Sequence, residues 1–325
     1  MSQAQKYILT NTKGTTVILT NVGASIMDIR FQDKTGELQS LVAGFERPEQ
    51  YADANYQKKN LCLGATVGRV AGRIAKGVYN IYDTYYALEL NNGQHLHSES
   101  CGFQHQFWEV ESHSDSAITF SLKQAEGSCG YTGNVEVRAH YELTDKDELK
   151  LTYTGKTDAS TYLNLCNHSY FNLSGAGSVL DHQLILPADR FLETDKDIVP
   201  TGKFLAVEDH KLDFRKGSSI KDLLGAGLDH AFELKEDQPV KLYAPNTGIG
   251  LVVTTNQPAV VVYTPPNFEG LDLSNTSYEN YPAICLEVQG FPDASNHQNF
   301  PSVRLDPGQE YLSKTTYAFS VDEKE

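Results

Sequence analysis

Apolar and polar residues alternate along much of this chain with a period of two. In Val135-Glu136-Val137-Arg138-Ala139-His140-Tyr141-Glu142-Leu143 every odd position is apolar and every even one polar. Ile118-Thr119-Phe120-Ser121-Leu122 and Leu149-Lys150-Leu151-Thr152-Tyr153-Thr154 repeat the pattern. A strand points successive side chains to opposite faces, so each segment predicts a half-buried strand. Further strands are predicted over 16–19, 80–90, 182–186, 240–243, 250–254, 260–263, 284–288 and 311–321. Turn-forming clusters separate them: Asn91-Asn92-Gly93, Thr144-Asp145-Lys146-Asp147, Pro245-Asn246-Thr247-Gly248 and Asp306-Pro307-Gly308. Long amphipathic helices are missing; 46–51 and 220–224 suit short helical turns at best. Many short strands predict an all-β sandwich or barrel, most simply a large antiparallel β-sandwich with sheets packed face to face. No linker, low-complexity tract or repeat interrupts the pattern, so residues 1–325 are expected to form one domain.

Composition narrows the function. Hydrophobic residues make up 40% of the chain and charged residues 21%, enough to bury a sizeable core. The net charge of −15 argues against nucleic acid and anionic membrane surfaces, which need basic stripes. The only short charge run is the tail Asp322-Glu323-Lys324-Glu325. No apolar run approaches the about 18 residues of a membrane span. The start, Met1-Ser2-Gln3-Ala4-Gln5-Lys6, lacks the apolar stretch of a signal peptide. Five cysteines, Cys62, Cys101, Cys129, Cys166 and Cys285, include no Cys-x-x-Cys pair. Reduced, mostly buried thiols in a cytoplasmic protein are therefore expected.

A few polar residues stand out against this apolar background. His168 interrupts the strand-like Leu163-Asn164-Leu165-Cys166-Asn167-His168-Ser169-Tyr170-Phe171; such a histidine is either functional or simply hydrogen-bonded. Glu287 sits in Ala283-Ile284-Cys285-Leu286-Glu287-Val288, where burial is costly unless the carboxylate is paired or useful. A salt bridge is the plain alternative. Small residues surround two arginines in Gly64-Ala65-Thr66-Val67-Gly68-Arg69-Val70-Ala71-Gly72-Arg73-Ile74, which predicts close approach of backbone to a partner. The segment lacks the Gly-Lys-Ser/Thr ending of a phosphate loop. His95 and His97 share a strand face, but no third ligand at suitable spacing is evident, so no metal is expected. Asp229, in Gly227-Leu228-Asp229-His230-Ala231-Phe232, fits a turn as well as a site.

Taken in order, these segments resemble the aldose 1-epimerases, also called galactose mutarotases. The resemblance is carried by residues 68–74, Leu96-His97, Asn167 to Leu173, Val199-Pro200-Thr201-Gly202, Asp213-Phe214-Arg215, residues 227–232, Val262-Tyr263-Thr264, and Leu286-Glu287-Val288-Gln289 with Pro292-Asp293-Ala294. It implies a galactose mutarotase-like supersandwich with an open cleft, no cofactor, and a small-molecule sugar as partner. It implies Glu287 as general base, His168 as general acid, and Arg73, His97 and Asp229 as sugar-binding residues. Protonating a ring oxygen calls for an imidazolium, so a nearby carboxylate is expected to favour the charged form of His168. One of the tyrosines or Trp108 is expected to pack on the sugar's C–H face. The chain departs from the family at Gly72, where Asn is common, at Ser98-Glu99, where Gly-Gly is common, at Val261, where Gln is common, and at Pro265-Pro266, which lengthens a Gly-Asn-Phe segment by one. These departures leave the preferred sugar open between glucose, galactose and a reducing disaccharide such as maltose. Hexose-6-phosphate epimerisation and non-catalytic sugar binding remain alternatives, and the oligomeric state is open.

Overall fold

The computed structural model describes residues 3–223, 227–274 and 278–321. Leu224 of the second predicted helical turn, Met1-Ser2 and the charged tail at 322–325 lie outside them. The architecture is all-β and antiparallel, as expected. A nine-stranded sheet runs in the order Glu109–His113, Ala117–Gln124, Val135–Leu143, Glu148–Thr157, Tyr311–Val321, Ile249–Thr255, Val240–Ala244, Gln183–Ile185, Ser218–Ser219. A six-stranded sheet runs Tyr170–Phe171, Ile284–Gln289, Ala259–Tyr263, Asp229–Glu233, Arg190–Thr194, Pro200–Ala206. These are called here the broad sheet and the cleft sheet. A four-stranded sheet from Lys6–Thr10 to Leu38–Ser40 completes the larger layers.

The alternation seen in sequence becomes alternation of burial. Val135–Leu143 and Glu148–Thr157 place every second residue in the core and pair in register, with Tyr141 opposite Leu151. Their inward faces meet the cleft sheet: Phe120, Val137, Leu151 and Tyr317 share one cluster with Phe232, Val260, Ile284 and Leu286. Ile284–Gln289 is buried along its whole length. Ile284, Leu286 and Val288 fill that core, so the intervening Cys285, Glu287 and Gln289 point out through the opposite face. The carboxylate of Glu287 is thus presented on a strand fixed by packing behind it.

Several strands were not visible in the residue pattern, among them Ser25–Gln32, Arg190–Thr194 and Pro200–Ala206. The predicted strand over 80–90 is instead a hairpin, Val78–Ile81 with Thr84–Ala87, turning at Tyr82 and Asp83, both in left-handed backbone. No glycine marks that turn, so its signal was hidden. The cysteine expectation is also corrected. Cys101 and Cys129 form a disulfide, while Cys62, Cys166 and Cys285 are free and buried. Their pairing joins the segment after His97 to the 128–130 turn, a proximity no sequence spacing reveals. Among the described residues, no helix is long and apolar enough to cross a membrane.

Phe171 tests the sheet-to-sheet contact. It is 1% exposed and its ring meets Tyr317 of the broad sheet at 5.6 Å between centroids. Phe171→Ala is expected to cost about 3–5 kcal/mol through the cavity it leaves, read as a lowered urea midpoint.

Candidate active site

An open cleft of about 250 Å³ lies on the outer face of the cleft sheet. Its floor carries Glu287 and His168, both nearly inaccessible, with His168 Nε2 3.3 Å from Glu287 Oε1. His168 stands between the short strands Cys166–Asn167 and Tyr170–Phe171. Its backbone is held on both sides: its N–H donates to Ala65 O and its carbonyl accepts from Gly64 N. Asn167 donates to Gly64 O and accepts from the Ser169 hydroxyl, so the polar neighbours of His168 fasten the segment and leave the imidazole to the cleft. Tyr170 stacks on His168 at 5.0 Å and lines the cleft with Tyr263.

Arg73, His97 and Asp229 converge on the same space. Arg73 and Asp229 approach within 3.7 Å and both are part-buried. Arg73–Ile74 pairs with His95–Leu96, which brings His97 beside Gly72. The Gly72 N–H donates to His97 Nδ1 at 3.2 Å, and His97 N–H donates back to Gly72 O. That bond occupies the Nδ1 lone pair, so the ring proton belongs on Nε2. His97 therefore faces the cleft as a hydrogen-bond donor. Among the described residues, His97, His168 and Glu287 are close enough to surround one ion, their donor atoms lying within 4.8 Å of one another. With its lone pair already engaged, His97 is poorly suited as the third metal ligand.

Other residues singled out in the sequence sit elsewhere. Arg69 is fully buried and donates to Gln124 Oε1 and to the carbonyls of Thr132 and Ala125, so it closes loops behind the site. His95 bridges Glu89 O and the Tyr131 hydroxyl. Trp108 is buried with its indole N–H on Phe103 O and does not reach the cleft. Three lining residues carried no signal in the sequence: Asn60, Leu192 and Ile198 come from loops and from the strand Arg190–Thr194, all remote in sequence from His168 and Glu287.

Comparison with known proteins bears on this arrangement. A sequence profile described as aldose 1-epimerase matches residues 5–318. The chain is 36% identical over 312 residues to the galactose mutarotase of Bos taurus, covering 92% of this chain and 89% of that one. It is 30% identical over 332 residues to the aldose 1-epimerase of Escherichia coli (strain K12), covering 97% and 94%. Among solved structures, an aldose epimerase homologue from C. elegans superposes with a TM-score of 0.92 at 30% identity, covering 98% of this chain and 99% of that one. A galactose 1-epimerase from Lactobacillus acidophilus NCFM gives 0.85 at 26% identity, with 99% of each chain covered. This chain belongs to the aldose 1-epimerase family. That membership makes it a carbohydrate isomerase.

The departures from the family pattern divide by location. Gly72 and Val261 line the cleft; Ser98, Glu99 and the two prolines do not. Gly72 has φ +80°, and a Cβ there would meet Pro292 Cβ at 2.9 Å, so a side chain at this position requires Pro292 to shift. Ser98 and Glu99 have φ of +61° and +46°, a region that suits the family's glycines. Here their side chains are used locally: Ser98 Oγ accepts from Val70 N and Glu99 Oε1 from Leu96 N. Val261 lies directly across from Glu287 in the strand register and presents no polar atom to the sugar.

Burial sets the protonation of the pair. Loss of water pushes Glu287 up to about 8, reinforced by the Asp229 carboxylate and opposed by the Cys166 thiol and Arg73. Loss of water pushes His168 down to about 4. Burial therefore works against the expected imidazolium: it favours the neutral acid on Glu287 and the neutral imidazole on His168. The carboxylate at 3.3 Å does not rescue the charged ring, because it is itself neutral.

This burial has a stability consequence. Glu287 titrates near 4.5 when unfolded and about 8 when folded, so its stabilising contribution is full below pH 4.5 and is lost as pH rises through 8. Glu287→Gln mimics the neutral acid and cannot ionise. Its melting temperature is expected to match wild type at pH 4.5 and to exceed it by about 5 °C or more at pH 9, read by calorimetry.

Proposed function

We propose that this chain interconverts the α and β anomers of a free aldohexose such as glucose or galactose, with Glu287 as general base and His168 as general acid. The observation that carries this reading is the buried Glu287–His168 contact at the floor of a polar cleft, two groups holding one proton between them. Mutarotation asks for that arrangement: one group takes the proton of the C1 hydroxyl while another protonates the ring oxygen O5. A sugar whose O1–H donates to Glu287 favours the carboxylate, and an O5 that accepts from His168 favours the imidazolium. Substrate binding thereby transfers the proton from Glu287 to His168 without changing the net charge of the site. Ring opening follows: Glu287 receives the O1 proton, the C1–O5 electron pair moves to O5, and His168 delivers its proton there. C1 becomes an aldehyde, rotates about C1–C2, and the ring closes by the reverse transfers.

Arg73, His97 and Asp229 are assigned to the sugar hydroxyls. Arg73 and the Nε2–H of His97 donate, and Asp229 accepts, by charge-assisted bonds in the case of the ions. The open mouth of the cleft favours a second substrate, a reducing disaccharide such as maltose, whose second ring extends outward. A phosphosugar fits poorly. The cations lining the cleft are Arg73, paired with Asp229, and Lys59, whose ammonium donates to the carbonyls of Glu269 and Gly270. A non-catalytic sugar binder has no need of the acid–base pair.

Polarimetry of freshly dissolved α-glucose, α-galactose and maltose tests the reading. Glu287→Gln and His168→Asn are each expected to lower kcat about 10²–10⁴-fold. A wild type that accelerates none of the three sugars over buffer overturns it. The pH profile of kcat/KM offers a further check. The pair keeps its single proton between the values of about 4 and about 8, so activity is expected to plateau between them. It falls below the lower value as a second proton binds and above the upper one as the last proton leaves.

A further inference from the structure

We infer that Ile198 is a sugar-contacting residue, an apolar lip that seats the C–H surface of the aldose while the polar side chains of the same cleft hold its hydroxyls. The inference rests on the epimerase reading above. Ile198 belongs to the turn between Arg190–Thr194 and Pro200–Ala206, and it has φ +60°. A β-branched residue is badly accommodated in left-handed backbone, where its Cβ crowds the main chain. The turn imposes this conformation through its own bonds. Asp195 Oδ1 accepts from the N–H groups of Asp197 and Val199, Ile198 N–H donates to Asp195 O, and Asp195 N–H donates to Val199 O. Glycine or asparagine is the natural occupant of such a position.

The isoleucine gains nothing from the core in return. The residue is 38% exposed and joins none of the hydrophobic clusters of the described residues. Unfavourable backbone and exposed apolar surface coincide in one residue, and that residue lines the cleft. Strain that persists without a packing reason points to function. The surroundings name the occupant. Leu192, Ala231 and Val261 line the same cleft and offer no side-chain hydrogen-bonding atom, while Arg73, His97 and Asp229 line it with polar ones. A neutral pyranose has this same division between a hydroxyl rim and C–H surface. With its hydroxyls on the polar side chains, its C–H surface is left to the apolar ones, and Ile198 covers it from the lip.

A purely structural isoleucine and a sugar-contacting one respond oppositely to substitution. Ile198→Gly and Ile198→Asn both suit left-handed backbone and both remove the apolar lip. The expected result is a melting temperature equal to or above wild type together with a loss in kcat/KM of about tenfold, the scale of a lost apolar contact, on the aldose that wild type turns over fastest. Ile198→Val keeps the lip and is expected to stay within about twofold of wild type. A loss in kcat/KM smaller than about fivefold in the glycine and asparagine variants overturns the inference, as does a loss that comes with a lowered melting temperature in both. Wild type is measured first: if it turns over no aldose, the epimerase reading itself fails and takes this inference with it. Unaffected variants of an active wild type overturn the inference alone.

Discussion

The site depends on removing two ionisable groups from water while leaving one proton between them. Glu287 and His168 are 3% and 4% exposed, and a buried charge without compensation is expensive. The pair avoids that expense at rest by staying neutral, with the acid protonated and the imidazole not. The same low-polarity surroundings make the alternative, carboxylate and imidazolium, responsive to small inputs. A hydroxyl donated to one partner and a ring oxygen offered to the other are inputs of that kind. Burial that disfavours charge therefore makes the charged form conditional on compensating hydrogen bonds. Cys166 adds to this: its thiol, held protonated by burial and by the neighbouring carboxyl, is a weak donor to Glu287 Oε2 at 3.7 Å.

The strand Ile284–Gln289 converts core packing into the geometry of the cleft floor. Its inward residues Ile284, Leu286 and Val288 are locked among side chains of both sheets, so its outward residues inherit that rigidity. Glu287 projects from the second of six strands, Val261 lies beside it, and Asp229 stands one strand further on, across from Tyr263. The floor of the cleft is thus a sheet surface, where period-two geometry and inter-strand spacing fix which side chains are neighbours. His168 reaches the same floor differently. It is clamped through backbone bonds to Gly64 and Ala65, where Gly64 has no room for a side chain: a Cβ would lie 1.9 Å from Ile26 O. The four-stranded sheet, through Ile26, therefore supports the His168 segment from behind.

The legibility of this molecule in its sequence follows the same division. Strands with one wet face, such as Val135–Leu143, announced themselves by alternation. Ile284–Gln289 showed an odd carboxylate in an apolar run, which is what a strand buried on both faces but open to a cleft looks like. Arg73 and Arg69 look alike in residue pattern, both flanked by small residues, and the family resemblance alone singled out Arg73. Only the tertiary path separates them, turning Arg69 into loop carbonyls and Arg73 toward Asp229. The same holds for His95 and His97, whose shared strand face is lost because the strand ends at Leu96 and His97 turns into left-handed backbone. Protonation was illegible for a different reason. Residue types identify a carboxylate and an imidazole as partners, but which one holds the proton depends on burial of both.

The cleft rim completes the contrast with its floor. Asn60, Gly72, His97 and Ile198 line the cleft, and all four have positive φ, between +50° and +80°. Only one of them is glycine. Left-handed backbone reverses the direction of the chain within a residue or two, which lets a short loop turn a side chain back over the sheet. Its cost falls on residues with a Cβ and is highest for the β-branched Ile198. Such positions are offset elsewhere in the structure, by the buried sheets and by local bonds such as Gly72 N–H to His97 Nδ1. A cleft floor built on regular strands and a rim built on strained turns separate two demands. The floor holds Glu287 and His168 in one fixed geometry, while the rim turns side chains over it from short loops.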